Sequence, residues 1–115
     1  MNVPSYIKLT TSTQTSNYVL PILLEIDNQN LISARRIFKK SYSGDEKSVN
    51  DMIEVEIQIQ RETDFLISVS NFFYKWLHVH NQHTIHTSEH LFTKKELTEQ
   101  NIFKLLTNSS DIYID

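Results

Sequence analysis

Residues Ile53-Glu54-Val55-Glu56-Ile57-Gln58-Ile59-Gln60 alternate branched apolar and polar side chains without a break. Successive side chains of a strand point to opposite faces, so this pattern predicts a half-buried strand. Ile53, Val55, Ile57 and Ile59 would face a core, and Glu54, Glu56, Gln58 and Gln60 would face water or a partner. A sheet with one wet face is characteristically antiparallel, which makes antiparallel pairing the expected setting. Such a strand needs an apolar layer on its inner face. The chain supplies one directly afterwards: Phe65, Leu66, Val69, Phe72, Phe73, Trp76 and Leu77 follow at near-helical spacing. They predict a helix over 64–77 whose aromatic stripe, Trp76 included, is buried against the sheet.

The remaining elements are read from weaker signals. Residues 19–26 and 31–38 are apolar-rich and flank Asp27-Asn28-Gln29-Asn30, which predicts a hairpin. Leu31, Ala34, Arg35 and Phe38 also match helical spacing, so a helix over 31–40 capped by Asn30 is the competing reading. Pro21 has no N–H to donate and would place its strand at an edge or an irregularity. Residues 10–17 are polar and read as a connector. Residues 41–51 hold the sole glycine, Gly44, and read as a loop. Thr93-Lys94-Lys95-Glu96 fits a capping box opening a C-terminal helix toward Leu106, or two short helices, and residues 111–115 alternate again as a short edge strand. The expected fold is α+β: one compact domain over 1–115, a mainly antiparallel sheet packed by one aromatic-rich helix and a C-terminal helix.

Composition removes whole classes of chemistry. There is no cysteine, hence no disulfide framework, thiolate metal site or cysteine nucleophile, which suits a reducing compartment and makes a cytoplasmic location the expectation. One glycine cannot build a Walker loop, a Rossmann fingerprint, a kinase loop or a serine nucleophile elbow. Turns must use Asn, Asp and Ser, and Ser, Thr, Asn and Gln together fill 37 of 115 positions. Nothing reads as a signal peptide or a membrane span. A net charge of −3 implies no strongly charged partner, so bulk nucleic-acid binding is disfavoured. The one basic run, Arg35-Arg36-Ile37-Phe38-Lys39-Lys40, could hold phosphates but reads more simply as a solvated face.

All five histidines, His78, His80, His83, His86 and His90, fall in one short stretch. Imidazole titrates near neutrality and ligates transition metals, so the cluster invites a metal site or a pH-responsive interface. A hairpin turning at Asn81-Gln82 would converge His78, His80 and His83, while a helix over 82–91 would converge His83, His86 and His90. A segment that offers three ligands in either conformation specifies neither, and polar surface histidines remain the simplest reading. His86-Thr87-Ser88-Glu89-His90 resembles the H-x-x-E-H zinc-protease pattern in those five positions. That family takes a third, glutamate ligand far downstream, whereas Glu96 and Glu99 are the only glutamates after His90 and both lie too near. The carboxylate pairs Asp45-Glu46 and Glu54/Glu56 sit on an expected loop and a solvent face, where nothing tunes them for acid-base work.

The sequence therefore points to a non-enzymatic protein–protein interaction module without cofactor. Its expected form is a small subunit of a phage, viral or bacterial assembly, with Glu54, Glu56, Gln58, Gln60, Asp45 and Glu46 as the partner-binding set. The order hairpin, strand, aromatic helix over 20–77 resembles, in element order alone, the tube-forming secretion and phage tail proteins, which implies self-assembly or a protein partner. The alternatives are a soluble inhibitor or immunity protein and a small histidine-cluster metal-binding protein. Membrane and small-molecule partners are not expected.

Overall fold

The computed structural model describes residues 6–27, 29–42 and 49–115, with residues 39–42 and 49–52 described by their backbone alone. The elements run β1 (Tyr6–Ser12), α1 (Thr13–Ile26), β2 (Ile32–Tyr42), β3 (Val49–Gln60), α2 (Thr63–Val79), β4 (Ile85–His86), α3 (Glu99–Asn108) and β5 (Asp111–Ile114). The five strands form one sheet in the order β2-β3-β1-β5-β4. All pairings are antiparallel except that of β1 with β5. Because β1 and β2 both oppose β3, they run the same way, and α1 is the crossover of a split β-α-β unit.

Side-chain alternation sorts the sheet into two faces. Ile7, Leu9 and Thr11 of β1 lie in register with Ile59, Ile57 and Val55 of β3, and Leu9 and Thr11 with Ile112 and Ile114 of β5. These buried side chains join Val19 and Leu23 of α1, Leu66, Val69, Phe73, Trp76 and Leu77 of α2, and Ile102 and Leu106 of α3 in one core. The three helices thus cover one face. The opposite face presents Lys8, Thr10, Glu56, Gln58, Tyr113 and His86.

The aromatic helix and the β3 strand form where the sequence places them, and Trp76 is buried. Glu62 caps α2 by accepting from the N–H groups of Asp64 and Phe65. Other expectations are corrected. Residues 19–26 are helical, and the hairpin is β2 with β3. Ser12 caps α1 by accepting from the Thr15 N–H, which draws residues 10–17 out of a connector and into the end of β1 and the start of α1. Pro21 lies inside α1 on its solvent side, where its missing N–H leaves the Asn17 carbonyl without its usual donor. Residues 31–40 are strand, not helix.

The predicted loop over 41–51 is shorter, since β2 reaches Tyr42 and β3 begins at Val49. The Thr93/Glu96 box forms, the Glu96 carboxylate accepting from the Thr93 N–H, but it closes a single turn. The helix itself starts at Glu99 behind a second cap, Thr98. Strand β5 is interior, between β1 and β4. Its parallel pairing with β1 returns the chain to the centre of the sheet.

Candidate functional site

The sheet has two edges, β2 and β4. Beyond the Ser12–Glu54 pair, β1 ends and β3 continues with β2 alone, so Phe38 to Tyr42 opposite Ile53 to Val49 form a two-stranded arm projecting past the sheet. The Thr13 hydroxyl donates to the Ile53 carbonyl and anchors the start of α1 at the base of this arm. Phe38 and Ile53 face each other there and are 73% and 42% exposed, which corrects the expectation that Ile53 lies in the core. The register explains it: Val55, Ile57 and Ile59 lie under helices, while Ile53 lies past the end of β1, with its backbone held by Thr13 and its side chain opposite the exposed Phe38.

From Ala34 onward strand β2 is also uncovered on its helix-side face, whereas Ile32, opposite Ile59, packs against the core. Ala34 and Arg36 pair with Ile57 and Val55 and are exposed, because α1 sits over β1 and β3. Between α1 and β2 runs a groove of about 250 Å³, lined by Thr13, Ser16, Asn17 and Leu20 on one wall and Ala34 and Arg36 on the other. Asn17, whose carbonyl Pro21 deprives of a donor, is part of that wall.

The polar row of β3 is not uniformly exposed. Gln58 and Glu54 are half-buried and Gln60 is exposed, but Glu56 is only 4% accessible. In register with it stand Arg35 on one side and Thr10 and Tyr113 on the other. The Arg35 guanidinium and the Lys8 ammonium, the latter 3.8 Å away, close over its carboxylate. Glu56 is therefore largely covered on the open face and is the counter-ion of Arg35 and Lys8. Asp45 and Glu46 lie outside the described residues.

The histidine segment adopts neither geometry expected of it. Helix α2 runs through His78, ends at the cap His80, and the chain turns and enters β4. Four of the five rings then make different polar contacts. His78 Nε2–H donates to the Leu97 carbonyl at 2.9 Å, and His83 Nδ1–H donates to the Asp115 carbonyl at 3.0 Å. His86 meets the Asp115 carboxylate at 2.8 Å and stacks on Tyr113. His90 meets Glu96 at 2.7 Å. The Glu96 carboxyl is held below its ordinary pKa, first by the Thr93 N–H and then by His90 and the Thr93 hydroxyl. His86 and His90 of the H-x-x-E-H pattern thus face different acids, and neither lies on a helix. Among the described residues no three histidine or carboxylate side chains converge as a metal site.

His80 and His83 do share a feature. With Trp76, Tyr18, Gln14 and Gln82 they line a cleft of about 410 Å³ between the start of α1 and the end of α2. His83 stacks on Trp76 with centroids 4.7 Å apart. Among the described residues the lining contains no carboxylate.

Comparison with known protein families, curated proteins and solved structures finds no match to this chain. Among the described residues no helix is long and apolar enough to cross a membrane. As site candidates, Arg36 and Phe38 appear in the sequence only as members of a basic run, and neither Asn17 nor Leu20 is singled out. The available signal was the basic run itself, because cationic residues are a common guard of strand edges.

Proposed function

We propose that this chain is a non-enzymatic protein-contact module that takes an extended segment of another protein onto the free edge of β2. A small subunit of a phage, viral or bacterial assembly would use it so. The observation that carries this reading is the length and dress of that edge. Strand β2 has eleven residues with no neighbour on one side among the described residues, and its arm bears exposed Phe38 and Ile53. An unpaired edge offers a row of N–H and C=O groups to an added strand, and side chains beside it supply specificity. Exposed aromatic and branched residues at such a place favour burial by a partner. Gln58, Gln60 and Glu54 form the polar flank of this surface on the opposite face, with Glu56 excluded from direct contact.

A photo-reactive phenylalanine analogue placed at position 38 tests the reading in cells that express the protein natively. It should yield a discrete protein adduct, while the same analogue at the exposed position Lys104 on α3 should not. Adducts of equal yield at both positions, or none at position 38, would remove β2 as the contact. A turnover activity abolished by changing any of the histidines would overturn the non-enzymatic reading.

A further inference from the structure

Resting on the contact reading above, we infer that the added segment carries an acidic residue with an apolar residue two positions away on each side, and that these three side chains face the groove between β2 and α1. Strand periodicity sets the pattern. Ala34, Arg36 and Phe38 project from the helix-side face of β2, because they pair with the core-face positions Ile57, Val55 and Ile53. Neighbouring strands have nearly the same rise per residue, so alternate residues of an added strand fall opposite these three positions in turn.

Each position dictates its counterpart. Ala34 is small and lies across the groove from Leu20, which leaves room for an apolar side chain. Arg36 is exposed on the groove wall, and no ion pair or hydrogen bond joins it to another described residue. Its neighbour Arg35 points to the other face and is already bound to Glu56. Among the described residues Arg36 is thus an uncommitted guanidinium beside an unpaired edge, and carboxylate is the group its planar fork matches. Phe38 and Ile53 form the apolar end. The inferred register reads apolar, any, acidic, any, apolar, and it is symmetric enough to suit either strand direction.

Two other occupants are disfavoured by the same residues. A second copy of the edge would bring the cations of ISARRIFKKSY against themselves, and like charges opposite one another destabilise a ladder. A nucleic acid would meet Arg36, the uncommitted guanidinium of this face among the described residues, between the apolar Ala34 and Phe38 on a chain of net charge −3.

Short fluorescein-labelled peptides, titrated with the full chain by fluorescence polarisation, separate these outcomes. A peptide with Leu, Glu and Leu at alternate positions should bind at least about tenfold more tightly than its Lys-centred counterpart, a difference of ~1.4 kcal/mol. Arg36→Glu, checked for folding by circular dichroism, should reverse that preference. Equal affinity for the two peptides, or an unreversed preference in the folded variant, overturns the inference. So does displacement of the acidic peptide by a generic oligonucleotide, or self-association in sedimentation velocity that is lost in Phe38→Asp. If the peptides fail while the adduct at position 38 forms, the partner chemistry is wrong and the contact reading survives. If both fail, both are wrong.

Discussion

Glu56 should be a stabilising centre of the open sheet face, and replacing it should cost stability before it costs any contact. Its side chain is about 5% accessible, whereas those of Arg35 and Lys8 are 67% and 40% accessible. A unit-charge pair at about 4 Å attracts by roughly 4 kcal/mol at an effective dielectric of 20, and the burial of the carboxylate offsets much of that. Removing the acid leaves its partners in water and not stranded, so the loss stays well below the ~3–5 kcal/mol of an orphaned buried charge. Glu56→Gln should therefore cost ~1–2 kcal/mol, which for a domain of this size lowers Tm by roughly 3–9 °C. Glu56→Lys puts a third cation between two others and should cost more. Thermal denaturation followed by circular dichroism measures both, and a cycle with Arg35→Ala should give a coupling of ~0.5–1.5 kcal/mol that shrinks in high salt. If Glu56→Gln melts within about 1 °C of the parent, or Glu56→Lys is no worse than Glu56→Gln, the buried-counter-ion account is wrong.

Arg61 donates to the Thr107 and Ser109 carbonyls at the end of α3, with its guanidinium partly desolvated, so Arg61→Met should lose ~1.5–3 kcal/mol in urea denaturation; an unchanged midpoint would remove it as the cap of α3. The Asp27 carboxyl is pushed up by desolvation, but N–H donation from Leu31, Gln29 and Ile32 outweighs this and holds its pKa below the ordinary value of 3.8. Its stabilisation is thus complete above about pH 4 and is lost as pH falls through the lowered folded value, so the stability gap between the parent and Asp27→Asn should be widest near neutrality and close in acid; a gap that widens on acidification contradicts this. Trp76→Ala should cost ~3–5 kcal/mol, and the parent should show blue-shifted tryptophan emission that moves to the red in His83→Ala, where the stacked ring is lost; a water-like maximum in the parent would show Trp76 to be exposed.

What could be read in the sequence follows from how many signals agreed locally. Strand β3 and helix α2 each have a sustained period, and both were legible. Helix α1 was not. Its apolar run Val19-Leu20-Pro21-Ile22-Leu23-Leu24 has no clean period because only Val19 and Leu23 are buried, while Tyr18, Ile22 and Leu24 are spent on solvent. Pro21 then reads as a helix breaker, although on the solvent side its cost is confined to one carbonyl. Strand β1 was hidden by its threonines: Thr11 is buried only because it stands between Val55 and Ile114, a long-range pairing that no local pattern announces. The alternation of β3 gave the faces correctly but not the burial of Glu56, which depends on the cations of two neighbouring strands. The histidines are close in sequence and scattered in space because a helix end, a turn and a short strand divide them.

The two edges of the sheet differ in a way that makes β2 the one proposed to take a partner. Strand β4 has only two residues, and the bridge from His86 to Leu91 folds the following loop back beside it, so the edge is both short and covered. Strand β2 has eleven residues and extends beyond the body of the sheet. Long flat edges invite unwanted pairing, and cationic residues are a device that prevents it between identical copies. In this chain the device is unevenly spent. Arg35 is neutralised by Glu56 on the open face, while Arg36 is left without an ion pair or hydrogen bond to any described residue on the helix-side face, next to a groove and an exposed Phe38. A charge that only guarded the edge against itself would need no groove beside it. One that also selects an acidic strand would need all three, and the same repulsion that keeps copies apart would then hold the edge open for a partner of opposite charge.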